Sequence, residues 1–375
     1  MSVTIDTRPS YAELLPGDPA PWFRARTAAN PRYVFDTVAG RHVVLCFYAT
    51  AGDAAGRAAL DAVIAGRARF DDTHASFFGV SFDPADESEG RVAESVPGLR
   101  HFFDFDGAVG RLYGAVARRD AAGGPHSVRR FWVVLDPSLR VVRTFALQDH
   151  AAVFAFVDAL PPPGTVAGVE VMAPVLLIPD VFEPGFCRRL IESYDVAGGE
   201  LSGFMQEIDG KTVGVNDHRH KVRKDHILEG RDLIDATQVR IRRRIAPEIM
   251  KVYQFAVTRM ERYLVGYYAA EDGGHFRAHR DNTTPGTAHR RFAVSINLNA
   301  EFSGGEVCFP EYGPRTFKPP PGGAVVFSCS LLHSVSRVTS GRRYAFLPFL
   351  YDEAAAKIRK TNAATLSQGA NQSAS

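Results

Sequence analysis

Between Glu261 and Tyr351 the chain breaks into seven or eight short apolar runs, too brief for helices and closely punctuated. The runs are Tyr263-Leu-Val-Gly-Tyr-Tyr, Arg291 to Asn299, Gly305-Glu-Val-Cys-Phe, Thr316-Phe-Lys, Gly323 to Ser328, His333 to Val338 and Arg343 to Tyr351. Turn signals at Ser303-Gly304-Gly305, Pro319 to Gly323 and Ser340-Gly341 separate them. Gly and Pro at such positions end a strand and redirect the chain. This density of short strands predicts a double-sheet jelly roll, whose alternate side chains face a shared interior.

Inside this stretch stand His279-Arg280-Asp281, then His333 54 positions later and Arg343 ten after that. Successive side chains on a strand alternate faces, so His279 and Asp281 should look into one cavity and Arg280 should face out. His333 follows Gly323-Ala-Val-Val-Phe and Leu331-Leu332, and reads as part of a later strand. Two imidazoles and one carboxylate on a single face are the facial ligand set of non-haem Fe(II) sites, with coordination positions left open. H-x-D alone has a simpler reading, a solvated histidine beside an aspartate in a chain of 12 histidines. Its force comes from the ordered set.

Taken in order, the H-x-D, the punctuated strands, the histidine after Gly-Ala-Val-Val-Phe and the arginine in Gly341-Arg-Arg-Tyr-Ala-Phe resemble the prolyl-4-hydroxylase-like branch of the Fe(II)/2-oxoglutarate-dependent dioxygenases. The resemblance covers roughly residues 171–352. It implies an α+β double-stranded β-helix, a jelly-roll or cupin-like barrel, with His279, Asp281 and His333 as the iron ligands. Arg343, preceding Tyr344-Ala345-Phe346 as the family's arginine does, is implied to hold the distal carboxylate of 2-oxoglutarate, a task its planar fork suits. Arg342 is the competing candidate, sent by alternation to the opposite face. Tyr268 matches loosely a family tyrosine of the co-substrate pocket, and Tyr267 could serve instead. Gly304-Gly305-Glu306 resembles the strand placed beside the iron. The implied cofactors are Fe(II), 2-oxoglutarate and O2, with ascorbate as a supporting reductant.

The implied reaction releases succinate and CO2 and hydroxylates an unactivated C–H bond. The carboxylate of Asp281, which halogenating relatives lack, favours hydroxylation over halogenation and leaves desaturation or ring formation open. The substrate so implied is a peptidyl, prolyl-like or small amino-acid-derived molecule.

A chain of 375 residues, 45% of them apolar, exceeds one ordinary core and predicts two domains. A net charge of +2 gives no general electrostatic claim on nucleic acid or membrane. The resemblance implies a small molecule, a peptide or a protein as substrate, with nucleic acid disfavoured and a homodimer open. Four scattered cysteines, a polar start and no apolar run near ~18 residues predict a cytoplasmic protein without disulfides or membrane spans.

Residues 1–160 alternate strand and helix patterns: strands at Val43–Tyr48, Ser76–Ser81, Phe131–Asp136 and Val141–Phe145, and a helix over 54–69. This predicts an α/β layered domain with some parallel pairing. Gly17-Asp-Pro-Ala-Pro-Trp-Phe, Asp104-Phe-Asp-Gly-Ala-Val-Gly-Arg-Leu-Tyr-Gly and Phe131 to Pro137 resemble a peroxiredoxin, a thioredoxin-fold family. The family's P-x-x-x-T-x-x-C is missing, its anchor positions held by Ala49, Asp53 and Gly56. Cys46, inside a strand, reads as a small buried hydrophobe. Residues 161–170 read as a Pro/Gly linker, 171–355 as the dioxygenase domain and 356–375 as a disordered tail.

Residues 198–231 read as a solvated loop, although His218, His220 and His226 invite a metal and Arg223 or Lys224 a substrate carboxylate. Ile241, Ile245 and Ile249 predict one face of a helix kinked at Pro247. Two other function classes stay open, a non-catalytic metal-binding module and a thiol peroxidase using Cys46.

Overall fold

The structure, a computed structural model, describes residues 10–118 and 128–366. It divides into two compact units, one running to Met172 and the other holding nearly all of the rest. No described helix is long and apolar enough to cross a membrane.

The first unit is built on a five-stranded sheet in the order Leu99–Phe103, Ala75–Ser81, His42–Ala49, Phe131–Leu135, Val141–Ala146. The first two pairings are parallel and the last two antiparallel. All eight positions of His42–Ala49 are buried, as a strand covered on both faces requires. The helix Ala54–Ala65 starts where Asp53 accepts the Gly56 N–H at 2.8 Å, and it packs through Ala59 and Val63 on that strand's core. It stops at Gly66 and continues only as a 3-10 turn. The strand Leu99–Phe103 was not expected, since its Arg100 and His101 interrupt the apolar pattern.

Two positions in this unit lend the peroxidase reading no support. Cys46 is fully buried and burial pushes its thiol far up, away from the accessible thiolate a peroxidase needs. At Gly56, where the resembling family has its nucleophile, an added Cβ would fall 1.9 Å from the Thr50 carbonyl oxygen. Gly56→Cys is therefore expected to lower thermal stability and to leave H2O2 consumption at background in a peroxidase assay.

The second unit is an antiparallel, jelly-roll-type pair of sheets. The larger sheet includes Leu264–Ala269, Ser340–Phe346, Phe292–Asn297, Phe349–Tyr351 and Ala324–Ser328. The smaller runs Lys221–Val222, His275–His279, His333–Val335, Val307–Cys308, Thr316–Phe317. Helices Pro184–Ala197, Arg231–Arg244 and Ala246–Tyr253 pack Leu190, Tyr194, Ile241, Ile245 and Ile249 against Val265, Val294, Ile296 and Phe346. The isoleucine stripe thus holds across the break at Ile245, with Pro247 in the first turn of the second helix.

Two expectations need correction. Residues 198–231 are not one solvated loop: Phe204–Ile208 and Lys211–Val215 form a hairpin, and Lys221–Val222 and Lys224–Ile227 join the two sheets. Their charged side chains point alternately inward into ion pairs, so polar composition concealed strands. Residues 353–362 form a helix capped by Asp352, which accepts the Ala355 N–H at 2.8 Å. The tail expected from 356 is therefore ordered to Leu366, while 367–375 lie outside the described residues.

That helix is tied down by Glu261, whose buried carboxylate accepts His289 Nε2 at 2.9 Å and Arg290 Nε at 2.8 Å and pairs with Arg359 at 3.2 Å. Burial works to raise its pKa, but His289 and Arg290 outweigh burial and hold it at about 2. A depressed carboxylate stabilises the fold above its unfolded pKa and loses that contribution as pH falls through its folded one. Glu261→Gln is expected to cost about 3 kcal/mol at pH 7. In urea titrations the gap from the parent should close between about pH 4.5 and 2.

Candidate metal centre

His279 ends its strand and pairs in register with His333 on the neighbouring strand, their ring centroids 4.2 Å apart. Asp281 lies just beyond, anchored by its own N–H to the Cys329 carbonyl at 2.9 Å. Its carboxylate meets His279 Nε2 at 3.5 Å and His333 Nε2 at 3.3 Å. The three ligand atoms lie within 4.8 Å of one another.

Both imidazoles are oriented from behind. His279 Nδ1 donates to the Arg277 carbonyl at 2.7 Å, and His333 Nδ1 to the Leu331 carbonyl at 3.0 Å. Each ring is thereby fixed in the tautomer that leaves the Nε2 lone pair facing the cluster, the usual arrangement behind a metal-bound histidine. Burial, with His279 beside it, pulls His333 down to about 4, keeping it neutral. Burial alone would raise Asp281, yet attraction to His333 and His279 whenever either carries a proton, and to Arg290, holds its carboxyl well below the usual range. Two neutral nitrogens and one anionic oxygen fit a divalent first-row metal. Phe276 stacks on His279 at 3.5 Å, and His220, Phe204 and Phe276 form an aromatic group beside it.

Arg280 departs from expectation. It does not reach solvent but is 7% exposed and donates to the Ser330 carbonyl.

Arg343 is buried on the larger sheet, its Nε donating to Asn297 Oδ1 at 3.0 Å and its Nη2 to Ser295 Oγ at 2.8 Å. Among the described residues its Nη1 finds no acceptor in hydrogen-bonding geometry. Tyr268 lies directly opposite Arg343 in the register, its ring 5.2 Å from the guanidinium carbon. Tyr267 points to the other face, stacked on Tyr194 at 5.0 Å, and Arg342 is exposed and paired with Glu271 at 3.1 Å. Of each adjacent pair, one member faces the interior.

Sequence reasoning missed the polar group around Tyr268. Arg223 makes a fork to Asp225 at 2.6 and 2.7 Å and reaches the Tyr268 hydroxyl at 3.4 Å. Arg262 shares Asp225 at 3.1 Å. Lys221 donates to Ser202 Oγ and the Gly203 carbonyl. The spacing Lys221-x-Arg223-x-Asp225 is the signal that could have revealed an inward-facing strand. His218 is exposed and His226 bonds Ser193 at 2.9 Å, so the three histidines of that stretch form no cluster.

Residues 263–351 match the 2OG-Fe(II) oxygenase superfamily model, and the C-terminal region contains an oxygenase domain of that family. Fe(II), 2-oxoglutarate and O2 are what the domain calls for, and the donor set above accommodates the metal. A PKHD-type hydroxylase of Cupriavidus metallidurans is 38% identical over 85 residues, which is 20% of this chain and 37% of that protein. The match thus spans little more than a third of the curated relative. Among solved structures, a Trichoplax adhaerens prolyl hydroxylase in complex with a hypoxia inducible factor peptide fragment shares 16% identity at a TM-score of 0.37, covering 50% of this chain and 86% of that one. Peroxidoxin BcpB of Mycobacterium tuberculosis shares 22% identity at a TM-score of 0.34, covering 40% and 99%. Both scores are too low to bear on function.

Proposed function

We propose that the second unit is a double-stranded β-helix hydroxylase that uses Fe(II) and 2-oxoglutarate to oxidise a C–H bond of a peptidyl, prolyl-like or small amino-acid-derived substrate. The observation that carries this reading is the convergence of His279, Asp281 and His333, with both Nδ1 atoms committed to backbone carbonyls. These three residues would hold the iron. The metal, when bound, supplies O2 activation coupled to oxidative decarboxylation of the keto-acid to succinate and CO2.

The rest is positioning. Arg343, steadied by Asn297 and Ser295, would spend its free Nη1 on the distal carboxylate of 2-oxoglutarate. Tyr268, opposite it and held by Arg223, would close the same end of the pocket. Phe276, Phe204 and His220 would offer an aromatic surface beside the metal on which a ring or side chain of the substrate packs. The first unit, with its nucleophile position closed, is read as a redoxin scaffold without redox chemistry. Its free Cys46, and Cys187, Cys308 and Cys329 of the second unit, fit a reducing cytoplasm.

The test is turnover. Iron-loaded full-length protein given 2-oxoglutarate and air is expected to form succinate, and Asp281→Ala is expected to form none above background. Equal succinate from both proteins would overturn the reading.

A further inference from the structure

We infer that the substrate of the proposed hydroxylase carries a carboxylate which Lys221 receives beside the metal ligands. This rests on the hydroxylase reading and adds to it a chemical class of substrate. Lys221 is 4% exposed, and its ammonium lies 4.9 Å over the ring of Phe276, which itself stacks on His279. The charge is therefore one ring away from the metal ligands. An ammonium has three donors. Two are spent on neutral oxygens, Ser202 Oγ and the Gly203 carbonyl, at 2.6 Å each, and the third is left for a ligand.

The charge balance asks for that ligand. Lys221, Arg223, Arg262 and Arg343 are buried together, and the carboxylates among them are Asp225 and Asp281, the nearby Glu261 being matched by Arg290. Asp225 is taken by Arg223 and Arg262, and Arg343 rests on neutral partners. Burial, with Arg223 beside it, pushes the pKa of the Lys221 ammonium well down; held charged, it would leave two positive charges in excess once a bound Fe(II) and a bound 2-oxoglutarate dianion cancel each other. Glu306, half-buried and electrostatically coupled to Arg343, offsets at most one of them. A buried cation without a counter-ion is costly, and an arriving anion relieves that cost. One free donor suits a carboxylate oxygen; a phosphate would call on several. The other two basic residues considered from sequence are occupied, Arg223 by Asp225 and Lys224 by Asp272 at 3.0 Å.

The experiment uses the full chain loaded with redox-inert Mn(II) and 2-oxoglutarate, titrated calorimetrically with N-acetyl-Glu-Pro-amide, N-acetyl-Pro-Glu-amide and their glutamine counterparts. At least one glutamate peptide is expected to bind tenfold or more tighter than its glutamine counterpart. Lys221→Met should erase the difference, Lys221→Arg should keep most of it, and both should take up 2-oxoglutarate like the parent. Should Lys221→Met not fold, Lys221→Gln takes its place: it should likewise erase the difference, and a preference that survives in it overturns the inference. Equal binding of the paired peptides by the parent, or binding of none, overturns the inference. So does a preference that survives in Lys221→Met, or a loss of 2-oxoglutarate affinity there, which would give Lys221 to the co-substrate. Inorganic phosphate displacing the glutamate peptide better than acetate does would overturn the carboxylate assignment. Failure of the parent to load Mn(II) and 2-oxoglutarate, seen before any peptide is added, sinks the hydroxylase reading and this inference with it.

Discussion

His333→Ala is expected to abolish stoichiometric iron binding and to lower 2-oxoglutarate turnover by well over a hundredfold. Losing a residue that merely supports a metal ligand already costs about 10–100-fold in affinity or activity, and His333, facing Asp281 at 3.3 Å, is proposed as a ligand itself. The substitution also removes a ring packed against Phe327 at 4.6 Å, so some stability should be lost with it. Circular dichroism separates the two effects: a folded protein that no longer retains Fe(II) on gel filtration is the expected outcome. A His333→Ala protein that keeps one iron per chain would remove His333 from the site.

Arg343→Ala is expected to leave iron binding intact and to weaken 2-oxoglutarate. Charge-assisted hydrogen bonds are worth about 1.5–3 kcal/mol each, and about 2–3 kcal/mol corresponds to a roughly 30- to 150-fold higher dissociation constant. The free Nη1 is the atom at stake, since Nε and Nη2 already have acceptors in Asn297 and Ser295. Arg343→Lys should recover part of the affinity, because it keeps the charge while losing the planar fork. Arg342→Ala should change nothing, its partner being the exposed Glu271. Anaerobic titration of the iron-loaded variants with 2-oxoglutarate measures all three. An unchanged affinity in Arg343→Ala would place the distal carboxylate elsewhere.

Where strand alternation and apolar composition agreed, the sequence was readable. His279 and Asp281 could be assigned to one face because they are two apart, and His333 could be brought to them because its run followed a Gly-Ala-Val-Val-Phe strand; the register pairs it with His279. The choice of Arg343 over Arg342 follows the same rule, whereas Tyr267 and Tyr268 stayed open in the sequence, and the register sets Tyr268 opposite Arg343. Reading failed where the interior itself is polar. Lys221, Arg223 and Asp225 look like a solvated loop by composition, yet they alternate inward and neutralise one another in part. Arg280 failed for a related reason: the face opposite the metal meets protein, and the Ser330 carbonyl takes its guanidinium. The terminal helix was missed because its anchors, Glu261 to Arg359 and Asp352 to Ala355, join residues far apart or outside any apolar pattern.

The most direct measurement is an anaerobic titration of the full chain with Fe(II) in the presence of 2-oxoglutarate, followed by the visible metal-to-ligand charge-transfer band of the chelated keto-acid. The account predicts a band that saturates at one iron per chain in the parent, persists at higher 2-oxoglutarate in Arg343→Ala, and is absent in His279→Ala and His333→Ala. A parent protein that develops no band, or one whose band survives the loss of either histidine, would contradict it.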